Sequence, residues 1–482
     1  MHGTFAAVSE QTDRDAADLQ RLGYAQQLLR SVGGFGNFAL SFSVISILTG
    51  AVTLYTWGLR FGGPAGMMGG WILVSIMTLA VASSLAELAS AYPTAGALYH
   101  WSSILGGRGA GFATAWLNTI GQFAITAGID YGLSEFLCTM LGVAVKPAHV
   151  LPIYAVVLSG HALLNHIGIR VVTILNELSA WYHMLGVAIV VGALAIFAPH
   201  QPASFLARTI SRTDHGLLYC LALGLLQAQW TFTGYDASAH VSEETVDPRR
   251  VAPWGMFLAV AVSAVFGFVL LLAVTASIPD LGAALREAER DGGNAFFVIL
   301  TGALGNGLGR ACIWICMGAM WFCGLGSVTT NSRMLFAFAR DGGLGEGRTF
   351  AAVSERWKTP HRAVWLSAAM AFVVALWGGT SGPIVSLSTI ALYASYGLPI
   401  LLALLARRRG LLAKGPWQLG NASVPVAVLA VVWVGIITVL FVLPPNQLVG
   451  YTFGGCIAAI GLYWFVVARA RFRGPAIATH VA

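Results

Sequence analysis

About twelve apolar runs of roughly 20 residues divide this chain, each long enough to cross the ~30 Å hydrocarbon core of a bilayer. They fall near 37–58, 69–92, 110–137, 149–167, 175–197, 217–240, 252–277, 311–335, 363–379, 384–406, 424–443 and 449–470. Backbone polar groups cannot go unpaired in hydrocarbon, so such runs fold as helices that bond within themselves. The predicted class is an all-α integral membrane protein with about 12 transmembrane helices. Only 10% of the residues are charged, against roughly 25% in soluble domains, and the mean hydropathy is +0.74. The net charge of +7 is spread between the runs rather than clustered, which argues against nucleic acid as a partner. The lipid bilayer is the expected surrounding.

Basic residues set the predicted orientation. With the N-terminus in the cytoplasm, 20 of the Lys and Arg residues fall in inner segments and 7 in outer ones, giving N-in, C-in topology in a cell membrane. The outer set is Arg60, Lys146, Arg208, Arg212, Arg286, Arg290 and Arg310. Residues 1–36 read as a polar cytoplasmic tail without a secretory signal, and 471–482 as a second tail. Between spans seven and eight, a polar stretch with Asp280, Glu287 and Asp291 leads into "NAFFVILTGALG", read as a short helix at the outer surface. The six cysteines lie in or beside apolar runs and read as small packing residues. No metal site or cofactor is expected.

Two spans carry residues that do not suit hydrocarbon. The first, "SFSVISILTGAVTLY", places Ser41, Ser43, Ser46, Thr49 and Gly50 at mid-membrane; the sixth, "QWTFTGYDASAH", places Thr231, Thr233, Gly234 and Asp236 there. Each contains a Thr-Gly pair, Thr49-Gly50 and Thr233-Gly234, at the head of a five-helix set. Paired Gly-interrupted spans at corresponding positions point to a transporter site. Five helices per half is odd, so repeats 37–197 and 217–406 would run in opposite directions, an inverted repeat, with 424–470 adding two more helices. An unwound span frees N–H groups for a carboxylate and C=O groups for an ammonium. A lone Thr-Gly pair reads equally as a kink that lets helices approach.

The segments "SFSVISILTG", "ELASAYPTAGALYHW", "TFTGYDASAHVSEET" and "SVTTNSRMLFAFARDGGL" together resemble the amino acid–polyamine–organocation transporters, nearest the amino acid/choline branch with its GABA permeases. The resemblance covers about residues 30 to 470. It implies a LeuT-type fold, a 5+5 inverted repeat with discontinuous helices 1 and 6, working by alternating access. It further implies that Ile47, Leu48, Thr49 and Gly50 bind a substrate carboxylate, that carbonyls near Trp230, Phe232 and Thr233 receive the amine, and that Trp230 stacks over the substrate. Asp236 falls where an antiporter relative has a glutamate. It is either the proton-coupled group or an N-cap of the second half-helix.

For the coupling ion, H+ or Na+, the resemblance offers two further sets. Ser327, Thr329 and Thr330 on the eighth span are the sodium-type candidates. His183 on the fifth is the proton-type candidate, with an interfacial histidine beside Trp181 and Tyr182 as the plain reading. Asn118 and Gln122, spaced i,i+4, face one way and line either a cavity or a packed interface. Tyr393 and Tyr396 share a face of span ten and are candidates for the outer gate. Glu243, Glu244, Arg249 and Arg250 read as inner-loop contacts that hold one gate state. An enzyme would need a nucleophile–base cluster or paired ligands, and His161 and His166 are not at i,i+4. The sequence thus predicts a secondary transporter of an amino acid or related amine. Choline, ethanolamine or polyamine transport, or a nutrient sensor on the same fold, stand as alternatives.

Overall fold

The computed structural model describes residues 2–210, 216–290, 292–344 and 349–475. Arg212 and Asp291, used in the reading above, lie outside the described residues. Everything described is helix or connection, apart from one isolated bridge between Val32 and Thr245. Ten of the helical stretches are long and apolar enough to cross a membrane.

The chain opens with α1 (His2–Arg21). It then builds α2 (Gly34–Ile45), α3 (Ile47–Thr53), α4 (Tyr55–Ala91), α5 (Leu98–Met140), α6 (Pro147–His166) and α7 (Ile169–Phe197). After a loop come α8 (Leu217–Gly224), α9 (Leu226–Thr231), α10 (Ala237–His240) and α11 (Pro248–Ala276). The rest is α12 (Leu281–Glu289), α13 (Ala295–Arg340), α14 (His361–Gly378), α15 (Ser381–Arg408), α16 (Ser423–Leu440) and α17 (Gln447–Tyr463). The stretch expected as a short helix before the eighth span is α12 plus the start of α13. Asp280 caps the first through Ala283 N–H (3.1 Å), and Asn294 caps the second through Phe296 N–H (3.1 Å).

Three long helices bend at a glycine of this geometry: α4 at Gly63 (φ 60°, ψ −175°), and α5 and α13 near their starts. Gly107 in α5 has φ 81°, ψ 176°, and Gly305 in α13 has φ 73°, ψ 167°. That region of backbone space is open essentially to glycine alone. The bends in α5 and α13 each set a short helical arm, 98–106 or 295–304, at an angle to the long span that follows. The expected N-terminal tail also has structure: α1 is followed by an extended strap, 24–33, lying against the bundle.

Burial sorts the helices into a center and a rim. Over an 18-residue apolar window, 89% of the α2–α3 stretch is buried but only 11% of the 447–471 stretch. The center is α2, α3, α9 and α10, enclosed by α5, α13, α15 and parts of α4, α7 and α11. The two spans that carry misplaced polar residues therefore occupy the middle of the protein, away from lipid. That is where irregular backbone is tolerated.

Candidate functional site

The first span is broken at Ser46, which adopts a left-handed conformation (φ 40°, ψ 84°). Non-glycine residues seldom hold that geometry, and here side chains hold it in place. Ser46 Oγ lies 2.5 Å from Thr49 Oγ1 and 2.6 Å from His183 Nε2. The break thus falls just before the stretch expected to unwind. Ile47, Leu48, Thr49 and Gly50 form the first turn of α3, with Gly50 N–H donating to Ser46 O at 2.8 Å. Helix α2 ends there because Ser46 turns out of the helical path, not because of the glycine.

The sixth span is interrupted over a longer stretch. Helix α9 ends at Thr231, and the chain runs irregularly through Phe232–Asp236 before α10. Gly234 stands at φ 92°, left-handed backbone that glycine takes at no steric cost. The freed groups are met by α15: Tyr393 O–H donates to Phe232 O (2.7 Å), and Gly234 N–H donates to Tyr396 Oη (3.3 Å). The two tyrosines expected as outer-gate candidates thus bond to the backbone of this break. Thr233 Oγ1 donates back to Gln229 O at 2.9 Å.

The two breaks face each other. Gly50 sits against Thr231 so closely that a Cβ would lie 2.6 Å from the Thr231 Cα. Beside this contact is a cavity of about 10 Å³ walled by Val44, Ile45, Thr49 and Gly50 from the first span and Trp230 from the sixth. Ile125, Ile129 and Cys323 complete the wall. It is about one water across. The Trp230 indole N–H is buried there with no protein partner, and the Cys323 thiol donates to Val44 O (3.2 Å).

Asp236 does not cap α10 with its side chain. It is the hub of a buried polar cluster instead. Tyr396 O–H donates to Oδ1 (2.7 Å), while Asn118 and Gln122 amides each lie 3.4 Å from Oδ2. The i,i+4 pair on α5 therefore does share one face, aimed at this carboxylate. His240 Nε2 approaches Oδ2 at 3.1 Å, and His240 Nδ1 lies 2.9 Å from Ala95 O. A carbonyl only accepts, so Nδ1 must carry a hydrogen. The Asp236 carboxylate and the His240 imidazole are in direct hydrogen-bond contact in this conformation. His240, one turn beyond Asp236, was missed in the sequence, although the i,i+4 spacing marks it.

His183 is fully buried rather than interfacial. Its Nδ1 donates to Ser179 O (2.8 Å), so Nε2 accepts from Ser46. Both nitrogens are satisfied in the neutral ring, which makes His183 a brace for the first break. The eighth-span hydroxyls turn elsewhere: Ser327 donates to Gly324 O, Thr330 to Gly326 O, and Thr329 to Asn165 Oδ1 (2.7 Å). None of the three bonds to the first span.

At the end of the bundle that holds α1 and the strap, ionic contacts lock the site shut. Glu244 and Arg333 form a fully buried two-bond pair (3.0 and 3.2 Å), and Glu243 and the partly buried Arg340 form a second two-bond pair (both 2.9 Å). Arg340 stacks over Tyr24 of the strap at 4.0 Å. Asp341 collects Tyr24 O–H (2.8 Å), His100 Nε2 (3.0 Å) and Tyr99 O–H. Arg30 reaches Ser242 O (3.1 Å) and Thr245 O. Burial pushes the Glu243 carboxyl up, but Arg340 and the Ala95 N–H more than offset it, leaving it below its ordinary value. Asp341 is likewise lowered, against burial, by His100, Arg340 and Tyr99. Of the expected loop contacts, Glu243 and Glu244 are central here, while Arg249 bonds Ser90 O (3.2 Å) and Arg250 stays exposed near Asp247. At the opposite end, a cleft of about 290 Å³ opens between Thr53–Arg60, Glu135–Thr139, Ala288–Asn294 and Ser381. Its floor is one turn of α3 from Thr49.

A helical membrane protein with two broken spans meeting at its center, closed at one end and cleft at the other, is a multi-pass membrane transporter in design. Comparison with known proteins agrees. The amino acid permease family model matches residues 34–467. The chain is 37% identical to the amino-acid permease BAT1 of Arabidopsis thaliana, over 96% of each chain. It is 27% identical to amino-acid permease 2 of Neurospora crassa, over 95% and 88% of the two chains. It is 25% identical to the GABA-specific permease of Saccharomyces cerevisiae, over 95% and 85%. The protein belongs to the amino acid permease family, within the amino acid–polyamine–organocation superfamily, and is a transporter rather than an enzyme.

Proposed function

We propose that this permease is a secondary active transporter that moves an amino acid or GABA-like substrate by alternating access, driven by protons. The observation that carries the reading is the meeting of the two breaks around one shared cavity, with Thr49 and Gly50 on one side and Trp230 on the other. The substrate's carboxylate sits at the Ser46–Gly50 turn and its amine at the Trp230–Gly234 carbonyls. Those two stations fit a zwitterion. Trp230, which walls the cavity and whose buried indole N–H has no protein partner, stacks over the stem.

Twelve crossings follow if α2–α3 and α8–α10 each count as one span and α5 as another. The matched bends at Gly107 and Gly305 fall before the third and eighth spans, which supports an inverted 5+5 repeat of the LeuT type. The 20-to-7 split of Lys and Arg supports a cytoplasmic position for the ionic end in a cell membrane. The cleft then opens outward. Asp236, buried at the sixth break and in contact with His240, is the coupling group on this reading, since exposing it needs that break to open. His183, satisfied as a neutral ring, positions the first break.

The test is a thermal-shift panel of L-amino acids, GABA, putrescine and choline on the purified protein, followed by counterflow in vesicles. A ligand at 100 times its Kd stabilises the fold by about 2.7 kcal/mol. Stabilisation and counterflow by a compound with both amine and carboxylate are expected. Choline, which lacks the carboxylate, outperforming every amino acid would refute the two-station site.

A further inference from the structure

Asp130 on α5 and His161 on α6 form a second carboxylate–imidazole pair inside the bundle, on elements other than the two broken spans. Both side chains are completely buried, with His161 Nδ1 3.0 Å from Asp130 Oδ2. The remaining polar atoms, Asp130 Oδ1 and His161 Nε2, have no hydrogen-bond partner. Neither has Tyr154 O–H, two turns back on the same face of α6. Buried polar atoms are nearly always paired, so three orphans along one interface need a reason. Gly324 of α13 closes the third side, where any Cβ would collide with Asp130 Oδ1 and lie 2.9 Å from His161 Nδ1.

We propose that Asp130 and His161 form a protonation site of the transport cycle, holding one proton that enters and leaves through His161 Nε2. No lysine or arginine occurs in 109–140 of α5, in α6, or in 311–332 of α13. The other titratable groups on those elements are Tyr131, Glu135 and Cys138 of α5, His149, Tyr154 and His166 of α6, and Cys312, Cys316 and Cys323 of α13. Helix α14 packs on both and has only His361 and Arg362 at its start. Helix α7 brings Arg170, Glu177, Tyr182 and His183, and α15 brings Tyr393, Tyr396, Arg407 and Arg408, none bonded to the pair. An ionised carboxylate with a neutral imidazole would leave one uncompensated charge at bilayer depth, which is strongly disfavoured. The pair therefore rests with one extra proton.

It differs from Asp236–His240 in one respect that matters. There both imidazole nitrogens are engaged. Here Nδ1–H keeps its bond to Asp130 whether or not Nε2 is protonated, so a proton can come and go without breaking the contact. The pair is also next to the machinery. Ile129 and Cys323, chain neighbors of Asp130 and Gly324, wall the substrate cavity, and Cys323 bonds the first break at Val44 O. A one-unit change of charge there acts on the surface against which α3 packs. The inference rests on the transport reading and adds a protonation site beyond Asp236.

The test titrates protein with 15N-labelled imidazoles in nanodiscs from about pH 5 to 8, the range where histidine switches. His161→Gln identifies the signal, and thermal melts confirm that each variant folds. His161 is expected to change protonation state within this range, with its midpoint moved by about one pH unit or more in Asp130→Asn. Asp130→Glu, which keeps the charge, restores most of that movement. A His161 ring that stays neutral across the range overturns the proposal, as does a midpoint indifferent to both Asp130 variants. In vesicles, uptake of labelled L-alanine and GABA by His161→Gln is expected to lose part of its pH dependence, and a pH profile matching wild type overturns the role in the cycle. Failure of the transport reading is recognised separately, by the absence of counterflow for every compound in wild-type protein.

Discussion

Gly50→Ala adds a single methyl group where α3 meets α9, and the structure fixes what that methyl encounters. The new Cβ would lie 2.6 Å from Thr231 Cα and 2.7 Å from Thr231 Cβ. Carbon atoms rest at about 3.5–4.0 Å, so the two half-helices must move apart by roughly 1 Å. The obstacle is backbone, which cannot swing aside as a flexible side chain can. Overpacking of this kind costs about 1–3 kcal/mol. Charged against one conformation only, that is a drop of about 5- to 150-fold in its population. The closed arrangement should therefore give way to one in which the breaks are separated, while the fold persists. Transport is expected to fall about tenfold or more, because a cycle that cannot close its site stalls. A cysteine at Thr56 in the cleft should be labelled several-fold faster. Gly50→Leu and Gly234→Leu should be more severe, the latter also forcing a bulky residue to φ 92° against Val44, a strain of about 1–3 kcal/mol. Wild-type transport with unchanged labelling in Gly50→Ala would show that the contact between the breaks takes no part in the cycle.

Trp230→Leu should weaken substrate binding by about tenfold, or 1.4 kcal/mol, with partial rescue by Phe or Tyr, as read by calorimetry. Unchanged affinity would return Trp230 to packing alone. Asp236→Asn should abolish accumulation against a gradient while leaving measurable exchange, because exchange requires no net proton movement. Accumulation that survives in this variant, together with loss of uptake when sodium is removed, would move the coupling site to Thr329 and Thr330. Glu243→Gln strands Arg340 and should destabilise the closed ionic end by about 3–5 kcal/mol, since it breaks a largely buried pair. Glu243 and Asp341 have lowered pKa values in the folded state. Their stabilisation is therefore present above the ordinary carboxylate range, near pH 4, and is lost as pH falls through the lowered values. Stability of the closed end should be flat from about pH 5 to 8 and decline only in stronger acid, and a midpoint near pH 6 in strap accessibility would contradict this.

Hydropathy located nearly every long helix, because a lipid-facing helix announces itself by composition alone. The third span was legible too, though its polar residues, among them Asn118, Gln122 and Asp130, dilute its apolar character. The Thr-Gly pairs pointed to the right spans, but the first break was placed a few residues late. A left-handed serine has no compositional mark, and the bonds holding Ser46 come from Thr49 and from His183, 137 residues away. The motifs that suggested the superfamily contain most of the ionic end: Tyr99 and His100 from one, Glu243 and Glu244 from another, Arg333, Arg340 and Asp341 from a third, with Tyr24 and Arg30 of the strap outside them. Their charges were visible, but partners separated by 89 to 97 residues cannot be matched from one sequence. Tyr393 and Tyr396 were read correctly as sharing a face. Which neighbor that face meets is a fact of packing, and it proved to be the sixth break.

The polar atoms left over around the two breaks carry the remaining argument. Asn118 Oδ1, Gln229 Nε2, Trp230 Nε1, Tyr235 O–H and Asn176 Oδ1 are all buried without a protein partner. Leaving one such group unmet costs about 1–3 kcal/mol, so a protein with one fixed structure would gain by replacing them with apolar residues. Several sit on the spans that enclose the breaks, whereas the rim helices α16 and α17 contribute none from their spans. On the transport mechanism proposed above, a chain that opens its center to water and to a zwitterion has the opposite requirement. Apolar groups there would make the closed form too stable to reopen, so unmet polar atoms keep the closed and open forms within a few kcal/mol of each other. The closed ionic end, with its two bidentate pairs, then offsets that cost on one side of the membrane while the cleft remains on the other.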